Sequence, residues 1–276
     1  MFLFLQLLAL TLLLLLGQEV IRRAKPWAVW GLFFLVPILL APYWIQINTL
    51  GLFPWLKGYS VFIAVCWVTA LRYTPLGKHD WARAGIPVLL ATNIFEAVAV
   101  DLYGSGWAHS LNAAAGLLLI ATSIYGPMST QIDSQSSGGD MLYQTSRAWI
   151  IGYTLWNWTF LYLNYPFLVG YQSAVLLAAL IVGLVYPHRW AQTRAATLGL
   201  SLLFSATYLS EMISWLDGTN WVDDQFALLA ASCGFLLMAT HFLINTSAQA
   251  RRSHHEQSTR RLTPSQWGRT GRLVPR

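Results

Sequence analysis

The sequence predicts an all-α fold, a polytopic transmembrane helix bundle, and three observations predict it. First, 56% of the 276 residues are hydrophobic and only 10% are charged, where a soluble domain carries about 25% charged residues. Second, nine stretches have close to the ~20 apolar residues that span a bilayer at ~1.5 Å rise each. Third, the Lys and Arg residues fall in alternate loops, as expected when the cytoplasmic side collects positive charge. The formal charge of +6 resides in short loops and a tail. It therefore reads as topology and attraction to anionic lipid heads, with no nucleic-acid partner.

The first span covers about 2–19. It lacks a basic n-region and a small-x-small cleavage site, and its positives follow it, so it reads as a retained span with the N-terminus outside. Arg22, Arg23 and Lys25 come next, and Glu19 is expected to pair with the two arginines at the inner interface. The second span covers about 26–46. Lys57, the one positive charge on the outer side, precedes the third at about 58–77. Arg72, Lys78 and Arg83 surround the inner turn to the fourth, about 84–102, and the fifth follows at about 108–126. The 127–146 segment, with its SSGGD run, reads as a polar, flexible inner loop.

Arg147 opens the sixth span, about 147–164, the weakest by length, and the seventh covers about 167–187. Arg189 and Arg194 precede the eighth, about 195–216. The acidic loop DGTNWVDD, 217–224, lies outside, and the ninth span is about 225–246. Arg251, Arg252, Arg260 and Arg261 then fall inside. An eight-span count would put that basic tail opposite the other basic loops, so nine spans with a cytoplasmic C-terminus fit better. Trp55, Trp107, Trp190 and Trp221 sit near span ends, where indole rings anchor. Residues 1–248 form one helical domain. Residues 249–276 read as a basic, disordered tail whose last four, Leu273 to Arg276, resemble a thrombin-cleavable tag remnant.

Polar side chains are expensive within spans and mark function by default. The fourth span carries Asn93 and Glu96 on one face with Asp101. The fifth opens with His109 and Asn112, the sixth carries Tyr153, Trp156 and Asn157, and the eighth carries Tyr208 and Glu211. From span midpoints, Glu96, Asn112, Asn157 and Glu211 all lie roughly 2–8 Å toward the outer side. That shared depth predicts an acidic, polar cavity in the outer half of the bilayer. The competing reading of each Asn is interhelical hydrogen bonding. His109 reads equally as a satisfied rim histidine and His241 as structural, while Asp101 and Asp217 read as solvated interface residues.

At these residues the chain resembles a family of bacterial integral-membrane proteins with no assigned activity. The segments that carry the resemblance are Glu19 to Arg23, Trp55 to Tyr59, Arg72-Tyr73, Asn93 to Asp101, Leu111-Asn112, Trp149 to Asn157 and Gln192 to Arg194. Where that family has an acidic residue after the tyrosine, this chain has Thr154. The resemblance covers the chain to about residue 205 and implies a multi-pass protein of the bacterial cytoplasmic (inner) membrane.

Several chemistries lack their residues. Lys25, Lys57 and Lys78 stand at span ends, leaving no Schiff-base lysine within a span. There is no HExxH, no GxSxG and no CxxC, and Asp223-Asp224 is a lone pair, so neither a metal nor a cofactor is expected. The functional expectation is a transporter or permeation protein for a small polar or cationic solute, proton-coupled through Glu96 and Glu211. The alternatives are an intramembrane enzyme on a lipid-linked substrate, with Glu96 as base and His109 as acid, and a non-catalytic sensor or scaffold. Oligomeric state is not legible.

Overall fold

A computed structural model describes residues 2–47, 52–125, 130–133, 135–136 and 138–262. Among these, nine long helices follow in order, with one β-hairpin between the fifth and sixth. They are α1 (Phe2–Arg23), α2 (Pro26–Ile47), α3 (Leu52–Tyr73), α4 (Asp80–Tyr103) and α5 (Trp107–Tyr125). The hairpin strands are β1 (Thr130–Asp133) and β2 (Asp140–Tyr143). The remaining helices are α6 (Arg147–Asn164), α7 (Pro166–Val185), α8 (Trp190–Trp215) and α9 (Asp224–Leu262). Each predicted stretch falls on one of these helices. Among the described residues, five helices are long and apolar enough to cross a membrane: α1, α2, α4, α7 and α9 over Asp224–Ala248.

Local sequence fixes the helix starts. Pro26 and Pro166 occupy first-turn positions, where a missing N–H costs nothing. Ser146 caps α6 by accepting from the Trp149 N–H at 3.1 Å. α2 contains a π-helical segment, Gly31–Leu35, and α8 is kinked at Tyr208 (φ −130°, ψ 41°). α9 continues past 248 to Leu262, and the rest of the tail lies outside the described residues.

The bundle is apolar outside as well as inside. Leu13, Leu16, Val20, Leu39, Val88 and Leu236 are exposed, whereas Trp44, Trp149, Trp156 and Trp190 are fully buried. A helix that is hydrophobic all round belongs to a large core or a bilayer. α5 packs on α4 and α9; Ala113 and Ala115 of α5 and Ala230 and Ala231 of α9 are buried, and such small residues allow close backbone approach. Side-chain hydrogen bonds add to the packing. Trp149 Nε1 donates to Thr122 Oγ1 (2.9 Å), and Tyr171 OH donates to the Ser201 carbonyl (2.8 Å).

Within the segment 127–146, the described residues correct the expectation of a flexible loop, and 127–129, 134 and 137 lie outside them. Thr130 pairs with Tyr143 and Asp133 with Asp140 in an antiparallel hairpin. Asp140, Met141 and Tyr143 are almost fully buried. The glycines of SSGGD serve close approach. Gly139 has φ +61°, and a Cβ there would meet the Arg72 carbonyl at 2.8 Å. Replacing Gly139 by alanine is expected to lower unfolding stability by about 1–3 kcal/mol, from the left-handed backbone penalty and the overlap. Thermal unfolding of the purified protein measures it.

Candidate functional site: an aromatic cavity with a buried arginine

A cavity of about 290 Å³ lies among α2, α3, α4, α6, α7 and α8. That is near the lower end of the roughly 300–1,000 Å³ typical of small-molecule sites. Its wall is mainly aromatic and aliphatic, including Trp44, Phe62, Phe160, Tyr171 and Leu198. Trp44 is fixed by stacking on Phe62 (centroids 6.0 Å apart) and by its Nε1 donating to Thr207 Oγ1 at 3.1 Å. Polar groups are few: Asn93, Asn157, Gln172, Arg194, Ser201 and Ser205. Arg194, Leu198, Ser201 and Ser205 share one face of α8 and line the cavity over roughly 16 Å of helix, at ~1.5 Å per residue. Tyr59 and Phe167 also line it and are exposed.

The structure separates the nine residues singled out from sequence. Asn93 and Asn157 line the cavity, and Asn157 Nδ2 donates to Tyr153 OH at 3.2 Å. Tyr153 and Trp156 belong to a buried aromatic cluster behind it. Tyr153 lies 5.5 Å from Trp149, 5.8 Å from Trp156 and 4.9 Å from Trp190, ring centre to ring centre. Glu96 is half-buried on α4, outside the lining. Tyr208 and Glu211 are exposed beyond the far end of the cavity. Thus, among the described residues, the cavity wall carries one cation and no carboxylate, where the shared depth of the polar residues predicts an acidic one. Depth along the bundle does not fix which way a side chain points.

His109 and Asn112 belong to a second polar cluster, built on Asp101. Asp101 is 1% exposed, a correction to its reading as a solvated residue. Its carboxylate accepts from Asn112 Nδ2 (2.7 Å) and Asn164 Nδ2 (2.7 Å) and contacts His109 Nδ1 (3.2 Å). The cluster ties α4, α5 and α6 together at one end of the bundle. At the same end the Tyr162 hydroxyl donates to the Trp221 carbonyl and accepts from Asp223 N–H. Asp217, by contrast, is exposed as expected. The hydroxyl and N–H of Thr219 hold its carboxyl below the usual carboxylate range.

A third cluster occupies the opposite end. Glu19 pairs with Arg22 (2.7 Å) and Arg23 (2.6 Å), as the sequence predicts. Arg22 also reaches buried Asp140 of the hairpin at 3.0 Å, and Arg189 approaches it at 3.4 Å. Gln192 bridges by donating to Asp140 Oδ1 (3.3 Å) while accepting from the Met141 N–H (2.6 Å). Arg72 donates to the carbonyls of Gly139 (3.0 Å), Arg22 (2.7 Å) and Gly138 (3.0 Å). Two arginines, Arg22 and Arg189, thus meet one buried aspartate of the hairpin, and a third, Arg72, holds the backbone of the same turn.

Arg194 was also legible only as an inner-side charge. The one signal that could have placed it in the cavity is its spacing: 194, 198, 201 and 205 recur at helical period, so an arginine begins a stripe otherwise made of small and apolar residues. Among the described residues, no group of three or more His, Cys, Asp or Glu is arranged to hold a metal ion.

Fold and cavity together define a class: an all-α bundle with several helices apolar enough to cross a bilayer, compatible with a membrane protein. The chain belongs to the family described as a family of unknown function, DUF5692, whose model matches residues 1–256. The match extends past residue 205 and so takes in the Glu211 region. No curated protein and no solved structure matches the chain.

Proposed function

We propose that the chain is a nine-span protein of the bacterial cytoplasmic membrane, N-terminus outside and C-terminus inside, that carries a small organic molecule through the cavity among α2, α3, α4, α6, α7 and α8. The cavity is the observation that supports this reading. It follows α8 for several turns, and its lining includes both the deeply buried Arg194 and the exposed Tyr59 and Phe167. A membrane setting is supported by the apolar outer surface, since lipid replaces water as the partner for such side chains. The proposed orientation is supported by Arg22, Arg72 and Arg189 collecting at one end of the bundle.

The cationic-solute reading rests on Glu96 and Glu211, which lie outside the lining, so the solute's class has to be argued from Arg194 instead. The enzyme reading draws no support from the site, because His109 is engaged by Asp101.

Sided cysteine labelling tests the carrier reading without knowledge of the solute. Cys66 and Cys233 are replaced by alanine, and a single cysteine is placed at Ser205 in the lining. A carrier exposes that cysteine to a membrane-impermeant maleimide from both faces of sealed vesicles, because its site alternates between them. Labelling from one face only sinks the reading. In the same assay, cysteines in the 217–224 loop are expected to react from outside.

A further inference from the structure

We infer that Arg194 anchors an anion, and that the cavity takes an anionic amphiphile. Its carboxylate or phosphate head meets the guanidinium, and its apolar body lies along the aromatic wall. This rests on the cavity being a ligand site, as proposed above, and adds the chemistry of the ligand.

Two buried arginines differ in their partners. Arg72 is 8% exposed, and three backbone carbonyls accept from its guanidinium. Arg194 is 7% exposed and lines the cavity, yet its Nε and Nη1 have no hydrogen-bond partner. Among the described residues it enters no ion pair. The guanidinium stands over the face of Tyr153, 5.9 Å from ring centre to Cζ. Guanidinium, unlike a lysine amine, is a charge that proteins do not neutralise. A buried charge without a counter-charge is strongly unfavourable, and a long side chain near a helix end ordinarily snorkels to the surface. Arg194 stays inside and presents free donors to an open space.

A second orphan lies on the same helix face. Ser201, seven residues on, is 2% exposed, and its Oγ has no partner. It too lines the cavity. The planar guanidinium fork matches a carboxylate or phosphate edge with two parallel N–H bonds. Beyond this polar end the wall is Leu198, Phe62, Trp44 and Phe160, which suits a hydrocarbon or ring. A fully hydrated inorganic anion would lose its water there for nothing. The small volume limits the body to a single chain or one ring system.

The test uses the full chain in nanodiscs of zwitterionic lipid. The probes are decanoate, decyl phosphate, decanol and decyltrimethylammonium. Tryptophan fluorescence and the unfolding temperature are read as each probe is added. Decanoate or decyl phosphate is expected to bind saturably and raise the unfolding temperature, with the alcohol and the ammonium at least tenfold weaker. Arg194→Gln is expected to weaken anion binding about 10- to 100-fold, the worth of charge-assisted hydrogen bonds. Arg194→Lys keeps the charge without the fork and falls between. Ser201→Leu leaves Arg194 in place but fills the cavity, and is expected to abolish binding. Without probe, Arg194→Gln is expected to unfold at or above the temperature of the parent, because it removes an unpaired buried charge.

A bilayer lipid could supply the same chemistry. Nanodiscs doped with phosphatidylglycerol, with no decyl probe, identify that source if they raise the unfolding temperature of the parent and not of Arg194→Gln. Equal binding of decanol or of the ammonium, anion binding unchanged in Arg194→Gln, or an Arg194→Gln protein that unfolds well below the parent without probe each overturns the inference. So does silence of both anion sources. The carrier reading fails separately, through one-sided labelling at position 205 with decanoate still bound.

Discussion

Replacing Asp140 by alanine is expected to destabilise the protein by about 3–5 kcal/mol, the cost of removing one partner from a buried ion pair. Asp140 is 1% exposed and receives Arg22 at 3.0 Å, Arg189 at 3.4 Å and Gln192 at 3.3 Å. Arg72 is packed against the same turn through the carbonyls of Gly138 and Gly139. Without the carboxylate, Arg22 keeps Glu19 as a partner, while Arg189 loses the carboxylate it approaches. Asp140 also holds β2 against the start of α8 through Gln192, so its loss should release the hairpin. Two readings check this: the unfolding midpoint in detergent or nanodiscs, and the rate of proteolysis within 130–143. Glu19→Gln should cost far less, within about 1 kcal/mol, because its pairs are partly solvated. A loss below 1 kcal/mol for Asp140→Ala would show that packing alone holds the hairpin.

The second large effect is expected at the other end of the bundle. Asp101→Leu removes a carboxylate that receives Asn112, Asn164 and His109 from two neighbouring helices. Asn112 is 1% exposed, so its amide would stay buried without its partner. Hydrogen bonds to a charged group are worth about 1.5–3 kcal/mol each, and an orphaned buried donor adds its desolvation cost. A net loss of about 3 kcal/mol follows, offset in part by the apolar replacement. A double-mutant cycle with Asn112→Ala isolates the pair, with an expected coupling of about 1–3 kcal/mol. Additive effects would mean that the 2.7 Å contact carries no stability. Since Asp101 lies outside the cavity lining, the variant should retain ligand binding at temperatures where it stays folded.

The helices were legible because the signal for them is summed over many residues. Runs such as Leu12 to Leu16 in α1 or Val175 to Val185 in α7 are apolar on every face, and no short-range competitor can reverse that. Pro26, Pro166 and Ser146 mark starts through local geometry alone. The pairing of Glu19 with Arg22 and Arg23 was legible for the same reason, since three and four residues apart are neighbours on any helix. The hairpin at 130–143 was not. Its glycines read as flexibility, but Gly139 serves an approach to the Arg72 carbonyl that exists only once α3 and the turn have met.

The candidate site divides in the same way. Asn93 and Asn157 were found because an amide within an apolar run stands out, and both reach the cavity. Glu96 and Glu211 stood out as strongly and lie outside it. Helical period gives the angle of a side chain about its own axis, but not which neighbour that angle faces. Asp101 read as solvated because it stands near a helix end, and it became buried when Asn112 and Asn164 closed over it.

By itself, then, the sequence determined the number and order of the helices, their apolar outer surface and the grouping of positive charge, because each depends on composition and local period. Tertiary structure alone decided that Asp140 pairs with Arg22 and Arg189, that Asp101 is sealed among amides, and that Arg194 faces an aromatic cavity with no counter-charge among the described residues. Those outcomes depend on contacts between residues tens to more than a hundred positions apart, which appear only after the helices have chosen their neighbours.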